Sequence, residues 1–142
     1  MLRTSLLATV LAVGWLSAAS AATLNFSATM NSASEVPPKT SAGTGDALAT
    51  LDTTTKTLTY TVTFSNLTGP ATAAHFHGPA MSGANAGVAV PLGNNPTSPI
   101  HGTATLTDAQ IADLTAGKWY VNVHTAANPG GEIRGQVEKG GM

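Results

Sequence analysis

The sequence predicts an all-β fold, an antiparallel β-sandwich with one short helix. The clearest evidence is the segment 57–64, in which Leu58, Tyr60, Val62 and Phe64 alternate with four threonines. This alternation is typical of a strand with one face in the core and the other in water. Further short runs of the same kind are separated by Gly, Pro and Asn, and such spacing favours a sandwich.

Seven or eight strands are expected along the chain. The candidate segments are 24–30, 47–51, 57–64, 72–77, 88–92, 102–106, 118–124 and 132–137. Loops are expected at 39–45, 78–87 and 93–99, and the run Asn128-Pro129-Gly130-Gly131 is a strong turn signal. On the strand at 118–124, Trp119, Val121 and Val123 are predicted to face the core.

One helix is predicted over residues 108–115. Thr107 and Gln110 have the spacing of a capping box, in which each side chain bonds the other residue's backbone N–H. Ile111 and Leu114 form a small apolar face, and Gly117 suits the left-handed position after the last turn.

Residues 1–22 are predicted to be a secretory signal peptide. Arg3 supplies a positive charge, 6–16 is an apolar run, and Ala18-Ala19-Ser20-Ala21-Ala22 offers cleavage positions after Ala21 or Ala22. The expected product is an exported domain, periplasmic or secreted, over 23–137, followed by a flexible tail over 138–142. No other segment is apolar enough to span a bilayer.

Charge and cysteine content exclude several functions. Five basic and seven acidic residues follow Ala22, so the mature chain carries a net charge of −2 with no basic cluster. Nucleic acid and anionic membrane surfaces are therefore not expected as partners. The chain has no cysteine, which excludes thiolate chemistry and cysteine-based zinc sites.

Three of the four histidines have the spacing of a metal site. His75 and His77 lie two residues apart on one predicted strand and so share a face, and His124 ends another strand. Neutral imidazoles suit copper and zinc, and copper is preferred because Cu²⁺ heads the affinity order of divalent ions. His101, at a predicted loop-to-strand junction, is a fourth candidate ligand or else an exposed loop residue.

Four motifs resemble those of the CHRD domain, named after the repeated module of the animal protein chordin. The motifs are Glu35-Val36-Pro37-Pro38, residues 74–80, residues 120–125 and residues 128–136. The resemblance spans about residues 23–137 and implies an exported bacterial domain with an immunoglobulin-like or related β-sandwich. The His-x-His strand is also similar, as a type of site, to the copper site of the Greek-key copper–zinc superoxide dismutases.

Three polar residues on the later strands are candidates for supporting the metal ligands. Glu132 could accept a hydrogen bond from a ligand histidine and fix its tautomer, or it could form a surface ion pair with Arg134 on the same face. Asn122 shares the face of His124 and is a similar candidate. Arg134 is also the one cation near the motifs that could steer an anion to a metal.

Two classes of function follow from these observations. The first is an exported metal-binding protein for storage, delivery or redox protection, with a superoxide dismutase-like enzyme as its variant. The second is a non-enzymatic module that binds an exported protein or a matrix. No nucleophile elbow, phosphate loop or paired-acid arrangement is recognisable, so catalysis would depend on the metal.

Overall fold

The structure is a computed structural model that describes residues 14, 15, 17 and 21–140. The predicted signal peptide over 1–22 lies largely outside these residues and stays a prediction, as does the end of the predicted tail at 141–142. Within the described part of the chain, no helix is long and apolar enough to cross a membrane.

Eight strands, one α-helix and one 3₁₀ turn make up the fold. The strands are β1 (Thr23–Asn31), β2 (Thr44–Asp52), β3 (Thr57–Ser65), β4 (Ala71–His77), β5 (Val88–Asn94), β6 (Ile100–Thr105), β7 (Trp119–Thr125) and β8 (Ile133–Lys139). The 3₁₀ turn (Ser32–Ser34) follows β1, and α1 (Asp108–Thr115) precedes β7. The all-β fold with one short helix is confirmed.

The strands form one antiparallel sheet in the order β5-β4-β7-β8-β1-β2-β3-β6. The sheet curls until it is nearly closed. This is shown by Tyr60 on β3, which packs edge-on against Phe76 on β4, near the other end of the strand order, with ring centroids 5.5 Å apart. The two halves of this sheet therefore enclose a single apolar core, as the halves of a sandwich would.

The predicted core faces are observed, except that Phe64, at the end of the β3 core face, is only partly buried. Leu58, Tyr60 and Val62 of β3 are buried, as are Trp119 and Val123 of β7. The predicted capping box also forms: the Thr107 side chain accepts from the Gln110 backbone N–H, and the Gln110 side chain accepts from the Thr107 N–H.

Most strand ends lie one to three residues from their predicted positions, and β5 runs to Asn94, inside the predicted loop 93–99. β2 begins at Thr44, inside the predicted loop 39–45, because β1 is long enough to pair with it from Thr23 to Asn31. His101 lies within β6 rather than at its junction, opposite Thr61 of β3. Residues 138 and 139 were predicted as flexible tail, but they extend β8, where Ser27 and Phe26 of β1 supply their pairing partners.

Candidate metal centre

Register on two neighbouring strands brings the three predicted ligands together. β4 pairs with β7 so that His75 lies opposite Asn122, His77 opposite Tyr120, and His124 opposite Ala73. Since alternate residues share a face, His75, His77 and His124 project to one side. One ring nitrogen from each lies within 4.8 Å of the other two, and His75 Nδ1 is 3.0 Å from His124 Nε2.

Backbone carbonyls orient two of the three rings. His77 Nδ1 lies 3.0 Å from the carbonyl oxygen of Ala86, and His124 Nδ1 lies 2.8 Å from that of Pro129. A carbonyl oxygen can only accept, so both Nδ1 atoms carry the proton. In the neutral rings the lone pairs are therefore on Nε2, which faces the centre of the cluster. This is the arrangement by which proteins fix metal-ligating histidines.

Burial disfavours the protonated form of two rings. His77 is buried and His75 is half-buried, and burial lowers the pKa of both below the ordinary value of 6.5. Proximity to His124 acts in the same direction on His75, because one imidazolium repels another. Both rings are therefore biased towards the neutral form that binds metals.

Asn122 lies in the middle of the cluster. Its Oδ1 is 2.9 Å from His77 Nε2 and 3.0 Å from His124 Nε2, while its Nδ2 points to Glu35 Oε1 at 3.5 Å. The candidate supporting role of Asn122 thus has a definite geometry: its amide joins the two rings to a buried acid.

Glu35 is the acid that sequence reasoning did not place at this site. It is 4 % exposed, and burial raises its pKa although the Arg134 charge and the Asn122 hydrogen bond oppose that rise. Gly131, at φ +125°, packs directly against it, so that a Cβ at this position would collide with Glu35 Oε1. The available signal is that Glu35 begins one of the four motifs that resemble the CHRD domain, but nothing in its spacing connects it to β7.

Arg134, Tyr120 and His77 form a three-layer stack at the cluster. The Tyr120 ring is parallel to that of His77, with centroids 4.7 Å apart, and the Arg134 guanidinium lies 3.4 Å from the Tyr120 centroid. Arg134 also donates to Asn85 Oδ1 and to the Ala84 carbonyl. It is 2 % exposed, so its charge serves to hold Ala84 and Asn85 in place and not to steer anions from solvent.

Glu132 lies away from the histidines, against the expected contact with a ligand ring. Its carboxylate accepts from the Thr68 backbone and hydroxyl, at 2.9 and 2.7 Å, and from the Thr125 hydroxyl at 2.6 Å. Burial alone would raise the pKa of Glu132, but these bonds outweigh it and lower the pKa to about 2. Nor does it pair with Arg134: among the described residues, the recorded salt bridge joins Lys56 and Asp108.

His101 does not join the cluster either. It is exposed on β6, the edge strand at the far end of the sheet order from β4, and its Nδ1 contacts the Thr61 hydroxyl at 3.0 Å. His101 is therefore exposed, as the alternative interpretation expected, but it lies on a strand and not in a loop.

The fold and the cluster define the class: an all-β protein with a histidine-lined centre on two adjacent strands. The model of the CHRD domain family matches residues 26–137, most of the chain. The chain therefore belongs to the CHRD domain family, as its motifs predicted. Searches of curated proteins and of solved structures found no match.

Proposed function

We propose that this protein is an exported metal-binding protein, in which His75, His77 and His124 hold one copper ion, with zinc as the alternative. Its role would be metal storage, delivery or redox protection. The observation that carries the proposal is the convergence of three ring nitrogens within 4.8 Å of one another. The hydrogen bonds that direct two of these nitrogens inward support it.

The donor set favours transition metals over calcium or magnesium. Imidazole nitrogen is a good ligand for copper and zinc, whereas calcium and magnesium take oxygen ligands, mostly carboxylates. None of the recorded hydrogen bonds of the three rings goes to a carboxylate. Copper is the first choice because it binds nitrogen sites most tightly among the divalent ions.

Export is supported by two independent observations. CHRD domains occur in extracellular proteins, and residues 1–22 have the composition of a signal peptide. A cell envelope or extracellular setting also fits the absence of cysteine from the ligand set, because imidazoles are not lost to oxidation as thiolates are.

Binding is favoured over catalysis. A superoxide dismutase-like activity would need an exposed cation to guide the anion, and Arg134, the candidate for this role, is buried against Tyr120. We therefore place the dismutase variant below storage or delivery.

The test is a metal titration of the mature protein, started from metal-free material. Wild type should bind one Cu²⁺ per chain, and His75→Ala, His77→Ala and His124→Ala should each weaken binding by tenfold or more, since even supporting residues change affinity by about 10- to 100-fold. His101→Ala is the matched control and should bind as wild type does. Unchanged affinity in all three cluster variants would remove the metal site and make the protein-interaction module the preferred function.

A further inference from the structure

We infer that Asn122 Oδ1 is a fourth metal donor, so that the site is a closed N₃O centre made entirely by protein. This inference rests on the proposed metal-binding function and deepens it. It assigns Asn122 to the metal itself, where the sequence suggested only a supporting role.

Three hydrogen-bond acceptors, two ring nitrogens and an amide oxygen, lie against one another at the centre of the cluster. Because the Nδ1 protons of His77 and His124 are donated to backbone carbonyls, each Nε2 presents a lone pair. Both lone pairs face Asn122 Oδ1, itself an acceptor, at 2.9 and 3.0 Å. Neutral acceptors at such distances do not attract one another. A cation among them turns the same geometry into a favourable one.

The second argument is the spacing of the donors. Four ligands held about 2.0–2.1 Å from a tetrahedral Zn²⁺ lie roughly 3.3 Å from each other. The His75–His124 nitrogen pair is 3.0 Å apart, and Asn122 Oδ1 lies at 2.9 and 3.0 Å from its two neighbours. These three distances are within a few tenths of an ångström of that spacing, and the three ring nitrogens all lie within 4.8 Å of one another.

The third argument concerns the orientation of the amide. Asn122 Nδ2 donates to Glu35 Oε1 at 3.5 Å, and an amide nitrogen can only donate. This contact directs the nitrogen away from the rings and leaves Oδ1 facing them. Asn122 is 3 % exposed, so water does not compete for the amide oxygen.

A site closed by four protein ligands favours metal holding over catalysis. Catalytic centres keep a coordination position for water or substrate, whereas four protein ligands are typical of sites that only hold the ion. A carbonyl oxygen is also a harder donor than a thioether or thiolate, which are the ligands that select Cu⁺. The site therefore suits a divalent ion, Cu²⁺ or Zn²⁺, that is sequestered and does not take part in catalysis.

The experiment compares wild type with two variants. Asn122→Leu has a similar size but no atom that can bind a metal, whereas Asn122→Asp keeps an oxygen at this position. In Cu²⁺-loaded wild type, water enriched in ¹⁷O should leave the electron paramagnetic resonance lines unbroadened. Asn122→Leu should bind Cu²⁺ and Zn²⁺ at least tenfold more weakly and show ¹⁷O broadening, because water takes the empty position. Asn122→Asp should restore the affinity and remove the broadening.

The outcomes separate this inference from the proposed function. One Cu²⁺ bound to wild type with clear ¹⁷O broadening would overturn the closed site while leaving the histidine site standing. Equal affinity and equal spectra for wild type and Asn122→Leu would do the same. If Asn122→Leu fails to fold, as judged by circular dichroism, the wild-type ¹⁷O spectrum decides alone. Failure of wild type to bind any metal overturns both proposals.

Discussion

Two buried glutamates in this domain differ in how their charge is accommodated. Glu132 is completely buried, and hydroxyl and backbone donors from Thr68 and Thr125 surround its carboxylate. Glu35 is almost as buried, yet its recorded side-chain partner is the single long contact from Asn122. The pKa of Glu132 is lowered to about 2, while burial raises that of Glu35.

This contrast in hydrogen bonding separates the acid that stabilises the fold from the acid that is available to the candidate metal centre. A fully hydrogen-bonded carboxylate contributes to stability and has nothing left to offer a ligand. A buried carboxylate with few partners costs free energy, and that cost is offset when a cation binds nearby. By this criterion Glu132 joins the start of β8 to Thr68, between β3 and β4, and we expect Glu35 to stabilise the proposed metal centre when an ion is bound.

The same substitution at both glutamates should separate these roles, and Glu132→Gln should give the larger effect. A Gln amide turns a donor towards the Thr68 and Thr125 donors, so about 2–3 kcal/mol of unfolding free energy should be lost. Chemical denaturation measures this loss. Affinity for Cu²⁺ should stay within twofold of wild type, and a large loss of affinity would assign Glu132 to the site after all.

Acid should destabilise the metal-free protein through the same carboxylate. Because the folded pKa of Glu132, about 2, lies below its unfolded value near 4.5, its stabilisation is complete above pH 4.5 and is lost as pH falls towards 2. Denaturation midpoints measured from pH 6 to pH 2 should follow this fall in wild type. In Glu132→Gln the slope should be shallower, and an equal slope would mean that other carboxylates dominate the acid transition.

Glu35→Gln should give the opposite pattern. The folded pKa of Glu35 is raised, so its ionised form destabilises the protein above pH 4.5, and a neutral amide should leave stability at pH 7 unchanged or slightly higher. Cu²⁺ affinity should fall about tenfold, because the acidic partner of the Asn122 amide is gone. Isothermal titration at pH 7 measures this, and an unchanged affinity would mean that Glu35 does not support the metal centre.

Metal affinity should also depend on pH through the rings. Protons compete for the same lone pairs, and the pKa values of His75 and His77 are lowered from 6.5. The loss of affinity on acidification should therefore begin below pH 6.5, later than for a free imidazole. Cu²⁺ titrations at pH 7.5, 6.5 and 5.5 test this. A pH-independent affinity would exclude imidazole ligands.

The local periodicity of the chain made most of the fold predictable. The alternation at 57–64 and the Thr107–Gln110 capping box are local signals, and both elements form where predicted. Strand ends were less predictable, since residues 138 and 139 join β8 only because β1 extends far enough to pair with them.

The sequence predicts only the part of the candidate site that lies on a single strand. The His75–His77 spacing gives a shared face from sequence alone, but the meeting with His124 depends on the β4–β7 register, a long-range property. Glu35 is 87 residues from Asn122 in sequence, and no periodicity links the two. The sequence places Glu132 on one face with Arg134, but it cannot show that hydroxyl groups of Thr68 and Thr125 take its carboxylate in the folded chain.

The central claim is that the histidine cluster binds a metal ion in the folded protein. Thermal unfolding of the metal-free mature chain, with and without excess Cu²⁺, tests it most directly, since an ion that binds only the folded state stabilises by RT ln(1 + [L]/Kd), about 2.7 kcal/mol at a hundredfold excess over Kd. We expect a clear rise in melting temperature for wild type and for His101→Ala, and none for His77→Ala. An equal rise in His77→Ala would place the ion outside the histidine cluster.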